Sequence, residues 1–305
     1  MIPDDNNPLL PESVLEGSVC APDESPDPQT HAAATTSPVL VQPEAPPSFL
    51  QYPEDLRVPW AWADLAWFFV VAVLSLIFTT LLMTIGLSLF RMHPGYIQDS
   101  AGEKSLLVIL AQALLFAVLL GYLFVLVRVR FERPFWQTIG WHHLQTGAIP
   151  RRIVYLSLVL GGFSLSLLVQ LASAALQPKS KLPIQEYFQD PRSALLLILM
   201  SILLAPLAEE TIFRGYIYPV LARSFGVGTG VVITGTLFGL LHAPQLWGGW
   251  GQIVLLIGVG IIFTAARAIS RTVVASYILH VSYNSFIGIT MLVGSHGFRH
   301  FPVGQ

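Results

Sequence analysis

The stretch LAEETIFRGY, residues 207–216, places two adjacent carboxylates, Glu209 and Glu210, inside an otherwise apolar segment. Arg214 follows Glu210 by four residues, which is the spacing of an ion pair along one face of a helix. That pairing leaves Glu209 without a cation on its own helix face, because the residue four positions after it is Phe213. An unpaired carboxylate in a water-poor segment is suited to accept a proton, so we expect Glu209 to act as a general base.

Three further polar side chains lie in later apolar segments. The sequence LFGLLHAP contains His242, with Phe238 one helical turn before it. The sequence LHVSYNS contains His280 and Asn284, whose spacing of four residues places both on one helix face. Taken singly, His242 and Asn284 are equally consistent with hydrogen bonds that hold helices together. As a set with Glu209, these residues supply a base and hydrogen-bond donors, which are the groups that amide hydrolysis requires.

The composition indicates that these side chains lie in a membrane. The chain of 305 residues is 53% hydrophobic and 11% charged, whereas soluble domains carry about 25% charged residues. We predict an all-α, polytopic membrane bundle of seven to eight transmembrane helices. Seven apolar blocks of suitable composition occupy residues 61–90, 106–127, 153–176, 194–222, 227–242, 253–266 and 273–293. The acidic pair lies near the middle of the fourth block, where a charge costs at least about 2.5 kcal/mol.

The ends of the chain differ in composition from the apolar blocks. Residues 1–58 hold half of the 22 prolines and ten of the 18 acidic residues, a composition that predicts a disordered tail. We predict a membrane domain over residues 59–295 and a short C-terminal tail over residues 296–305. The single cysteine, Cys20, excludes an intrachain disulfide framework, and no signal peptide is predicted. There is no basic stripe with interleaved aromatic residues, so we expect no nucleic-acid partner.

The arginines predict an orientation. Five of them lie between Arg128 and Arg152, and the positive-inside rule assigns this loop to the cytoplasm. The N-terminal tail and the turns near Arg223 and Arg271 then lie on the same side. The loop that carries Lys179, Lys181 and Arg192 does not follow the rule.

The order of the three motifs resembles a known family. EExxxR at Glu209, FxxxH at Phe238 and HxxxN at His280 follow one another on successive apolar segments. This pattern resembles the CPBP family, also called the Abi family, which includes the type II CAAX prenyl endopeptidases. The resemblance covers residues 190–290. It implies a bundle of about eight transmembrane helices around a water-filled cavity, an intramembrane protease activity, and a peptide or protein substrate at the lipid bilayer, in a bacterial inner membrane if the chain is bacterial.

The resemblance also implies roles for the residues. Glu209 and His242 match the pair that activates the attacking water. His280 and Asn284 match the pair that stabilises the oxyanion. Glu210, Arg214 and Phe238 match supporting positions around them. Direct attack by water is favoured over an acyl-enzyme, because no serine, threonine or cysteine occupies a comparable nucleophile position.

Two alternatives remain open at this point. Glu209, His242 and His280 are three plausible zinc ligands, although the chain has no HExxH motif, and we favour a reaction without a cofactor. The second alternative is a non-catalytic membrane protein, an immunity or scaffolding subunit that keeps the pocket. A proton-coupled transporter is disfavoured, since no inverted repeat is visible and a single predicted helix carries acids at depth.

Overall fold

A computed structural model describes residues 52–91, 101–176, 182–184 and 191–296. No strand occurs in these ranges, and the predicted all-α class is confirmed. The α-helices are α1 (Trp62–Arg91), α2 (Ala101–Val125), α3 (Phe135–Thr138), α4 (Arg151–Leu176), α5 (Pro191–Glu210), α6 (Tyr218–Phe225), α7 (Val227–Leu241), α8 (Trp250–Ser270) and α9 (Val273–Gly294). Cys20 and the predicted tails, up to residue 51 and after residue 296, lie outside the described residues.

Six helical segments in the described ranges are long and apolar enough to cross a membrane, and α7 is a shorter apolar helix of 15 residues. These seven segments correspond to the seven predicted apolar blocks, so the protein is an integral membrane protein. The fourth segment is continuous from Pro191 to Phe225, because π-helical residues Thr211–Ile217 join α5 to α6. Glu209 and Glu210 lie near its midpoint, as predicted.

Helix α7 packs closely on α8 through glycines. A Cβ atom on Gly235 would lie 2.4 Å from the backbone nitrogen of Ile261, and one on Gly239 would lie 2.5 Å from the Ile257 side chain. Gly235 and Gly239 are four residues apart, so both open the same face of α7, as small residues do where membrane helices meet. This contact fixes the end of α7, after which His242 follows, relative to α8.

The arginine-rich end of the bundle is held by contacts between segments distant in sequence. The Arg223 guanidinium donates to the carbonyl oxygens of Val58 and Trp60, at 3.0 and 2.8 Å. Arg267 forms an ion pair of 2.9 Å with Asp55. The sequence assigned residues 52–58 to a disordered tail, whereas the structure places Glu54–Leu56 in a 3₁₀ helix and buries Val58. These residues pack against the bundle because their apolar side chains and Asp55 find partners there.

Candidate active site

The acidic pair ends a regular α-helix and precedes an irregular one. Glu209 and Glu210 are the last residues of α5, and the π-helical residues Thr211–Ile217 follow. Short π-helical stretches are rare in proteins overall, but those that occur often lie at functional sites. Both glutamates are buried, with 8% of Glu209 and none of Glu210 exposed.

Glu210 is paired as the sequence predicted. The Arg214 Nη1 group donates to Glu210 Oε1 at 2.9 Å, and neither side chain is exposed. The other guanidinium groups bind α8: Nε donates to Thr264 Oγ1 at 3.1 Å, and Nη2 donates to the Gly260 carbonyl oxygen at 2.9 Å. Arg214 thus joins α8 to the acidic pair, a link that no sequence motif had indicated.

Aromatic rings enclose the Arg214 guanidinium. Its central carbon lies 4.4 Å from the ring centre of Phe238, and 5.6 and 5.9 Å from those of Phe263 and Phe213. A cation over aromatic faces is stabilised by the ring quadrupole, most strongly where water is excluded. Phe238 therefore connects the FxxxH segment to the EExxxR segment.

His280 lies between the two glutamates. Its Nδ1 donates to Glu210 Oε1 at 2.9 Å, since the carboxylate that is paired with Arg214 can only accept. Its Nε2 lies 3.8 Å from Glu209 Oε2, which is too long for a direct hydrogen bond. The structure thus brings Glu209 and His280 together without a direct hydrogen bond between them.

His242 and Asn284 are each oriented by a backbone carbonyl. His242 follows the last residue of α7, and its Nδ1 donates to the Phe238 carbonyl oxygen at 2.9 Å. Asn284 Nδ2 donates to the Ser201 carbonyl oxygen on α5 at 2.6 Å. A primary amide has two N–H donors, so this bond leaves Asn284 with one more.

A cavity of about 520 Å³ brings the four predicted catalytic residues together. Its lining includes Glu209, His242, His280 and Asn284, together with Phe238. Neither Glu210 nor Arg214 lines the cavity. Most of the lining is apolar. Its neutral polar side chains include several that the sequence did not single out, because they belong to no motif: Gln112, Gln170, Ser173, Ser201, Gln245 and Gln252.

The described cavity residues do not form a metal site in this conformation. In the ranges that the structure describes, no group of three His, Cys, Asp or Glu side chains is placed to hold a metal ion. Glu209 and His280 are neighbours, but His242 does not complete a three-ligand set with them in this conformation. A chelator tests the zinc alternative directly.

Comparison with known proteins supports the family resemblance. Residues 191–286 match the family model described as type II CAAX prenyl endopeptidase Rce1-like. No curated protein and no solved structure matches the chain. The matched residues contain Glu209, Glu210, Arg214, Phe238, His242, His280 and Asn284. Residues 191–286 are therefore similar to the Rce1-like type II CAAX prenyl endopeptidase family, the family that the motifs predicted.

Proposed function

We propose that this protein is an intramembrane endopeptidase in which Glu209 activates a water molecule for attack on a peptide bond. The observation that carries the proposal is that two adjacent buried acids have different partners. Glu210 is neutralised by Arg214, whereas Glu209 lines the cavity with no arginine or lysine in hydrogen-bond contact among the described residues. A buried carboxylate without a cation partner costs folding free energy, so its presence inside a membrane segment indicates a functional residue.

The reaction assigns a role to each cavity residue. The water oxygen attacks the carbonyl carbon while Glu209 takes a water proton, and the carbonyl π electrons move to oxygen. An amide donor such as Asn284 stabilises this oxyanion. When the C–N bond breaks, the proton passes to the leaving nitrogen, either from Glu209 or through His242.

The substrate we propose is a peptide or protein segment that reaches the cavity from the membrane or its surface. The apolar lining accommodates aliphatic side chains, and the neutral amides can hydrogen-bond to an extended main chain. The family match suggests a prenylated CAAX protein as one such substrate. We propose a bacterial inner membrane as the location, with the N-terminal side in the cytoplasm.

The first prediction concerns Glu209. Glu209→Gln keeps the size of the side chain but removes the base, so we expect peptide cleavage to fall by about 10²- to 10⁴-fold. The assay uses the full chain in detergent micelles with a library of internally quenched apolar peptides, and mass spectrometry locates the new termini. Asp64→Asn is the matched control, since Asp64 is also buried but lies at the start of α1, paired with Arg130 at 2.6 Å.

The outcomes separate the proposed function from its rival. Full activity in Glu209→Gln contradicts the proposal. Function in cells that persists in Glu209→Ala, with no cleavage by the wild type, indicates a non-catalytic immunity or scaffolding protein instead. Repeating the wild-type assay with a chelator tests the metal: we expect unchanged activity, and a loss that added zinc restores would establish the zinc-dependent form.

A further inference from the structure

The hydrogen bond between His280 and Glu210 determines which ring nitrogen of His280 carries a proton. Glu210 Oε1 accepts from both Arg214 Nη1 and His280 Nδ1, each at 2.9 Å. An ionised carboxylate is an acceptor only, so Nδ1 must hold the hydrogen. In the neutral ring, Nε2 then carries a lone pair and cannot donate. The role first predicted for a neutral His280, donation to the oxyanion, is therefore not available to the nitrogen that faces Glu209.

The geometry at Nε2 suits a different task. Glu209 Oε2 and His280 Nε2 are two acceptors 3.8 Å apart. A water that donates one hydrogen bond of about 2.8 Å to each acceptor would hold the two acceptors roughly 4.4 Å apart. The distance between Oε2 and Nε2 therefore needs to increase only slightly for a water to bind between them. Such a water has both hydrogens engaged and directs its lone pairs away from the two acceptors. That arrangement makes its oxygen the nucleophile.

Arg214, which holds Glu210, is itself held by α8, a helix that carries none of the three motifs. Thr264 Oγ1 accepts from Arg214 Nε at 3.1 Å and donates to the Gly260 carbonyl oxygen at 2.7 Å. The same carbonyl oxygen accepts from Arg214 Nη2 at 2.9 Å. Thr264 is fully buried, so water cannot replace its hydroxyl without rearrangement. These bonds fix the rotation of the guanidinium and, with it, the direction from which Glu210 is held.

We propose that Thr264 is a positioning residue for the proposed hydrolysis. Acting through Arg214 and Glu210, it keeps His280 in the Nδ1–H form, so that Nε2 and Glu209 together accept the two hydrogens of the attacking water. In the reaction, one proton moves to Glu209 as the oxygen attacks, while the hydrogen bond to Nε2 keeps the oxygen oriented. The catalytic part of this inference rests on the proposed function, whereas the tautomer does not.

The test compares two substitutions of one residue. Thr264→Val keeps the branched shape but removes the hydroxyl, and Thr264→Ser keeps the hydroxyl. We expect Thr264→Val to lower kcat by about 10- to 100-fold with little change in KM, because the water is misplaced while the cavity is not. Thr264→Ser should stay close to wild type. Thr234→Val is the matched control, since Thr234 is a fully buried threonine on α7 whose hydroxyl has no hydrogen-bond partner among the described residues.

A spectroscopic readout makes the inference independent of turnover. Nitrogen-15 NMR of histidine-labelled protein in micelles reports the tautomer, with His280 assigned by Glu210→Gln perturbation and by loss of its signal in His280→Asn. We expect a single Nδ1–H tautomer in the wild type, Thr264→Ser and Thr234→Val, and a mixture of tautomers in Thr264→Val.

Two results would overturn the inference about Thr264. An unchanged tautomer in Thr264→Val, or an equal loss of kcat in Thr264→Ser and Thr264→Val, contradicts the positioning role. If no variant and no wild-type preparation cleaves peptide, the proposed function fails, and the NMR comparison still decides whether Thr264 holds His280.

Discussion

At the scale of single residues, the site contains two neighbouring glutamates that the tertiary structure places in different surroundings. Glu210 accepts from Arg214 and His280, while Glu209 borders the cavity. Adjacent positions on a helix point about 100° apart, so one side chain can face a neighbouring helix while the other faces an opening. In the proposed mechanism the two acids then have different roles: Glu210 holds Arg214 and His280, and Glu209 reacts.

A stability prediction follows from the buried pair. Arg214→Met leaves the Glu210 carboxylate buried without its cation, and we expect unfolding in detergent to become easier by about 3–5 kcal/mol. The double variant Glu210→Gln with Arg214→Met removes both charges and should recover most of that loss. Thermal unfolding followed by circular dichroism measures both. A double variant no more stable than Arg214→Met would show that the ion pair is not what holds this region.

At the scale of elements, the contact between α7 and α8 sets where the FxxxH motif lies. The two backbones approach closely at Gly235 and Gly239, and Phe238 lies between them in sequence. Phe238 in turn packs on Arg214, and its carbonyl oxygen orients His242. Separation of the two helices would therefore disturb both a supporting residue and a cavity residue.

Substitution of these glycines tests that dependence. Gly235→Ala inserts a methyl group where a Cβ atom would meet Ile261 backbone at 2.4 Å, so we expect a loss of about 1–3 kcal/mol in stability and reduced cleavage. Gly258→Ala is the control on α8, because nothing lies within 4 Å of its Cβ position. Thermal unfolding and the peptide assay give the two readouts. Equal behaviour of the two variants would mean that close approach at Gly235 is unimportant.

At the scale of the whole molecule, the structure gathers the arginine-rich segments at one end. The contacts of Arg223 with residues 58–60 and of Arg267 with Asp55 join the start of α1 to the ends of α6 and α8. Thr272 also bonds the carbonyl oxygens of Gly140 and His142, which adds the loop before α4 to the same end. The positive-inside rule then predicts that this end faces the cytoplasm.

The single cysteine offers a direct test of this orientation. Cys20 precedes α1, so we expect a membrane-impermeant maleimide to label it only after cells are permeabilised. Cys20→Ser gives the unlabelled background, and His143→Cys in that background reports the arginine-rich end independently, since His143 is exposed. Labelling of both cysteines in intact cells would reverse the predicted orientation.

The sequence alone determined the apolar spans, the position of the acidic pair near the middle of its span, the Glu210–Arg214 pairing and the family resemblance. These properties are local: hydropathy over about 20 residues and spacings of four along a helix are readable without knowing which helices touch. The tertiary structure alone decided which partners complete the site. The Arg214 contacts with Gly260 and Thr264 span 46 and 50 residues, and the Asn284 contact with Ser201 spans 83. Such contacts depend on how α5, α8 and α9 pack. No local pattern in this chain encodes the positioning role proposed for Thr264, because Thr234 is an equally buried threonine in the same bundle for which no such role is proposed.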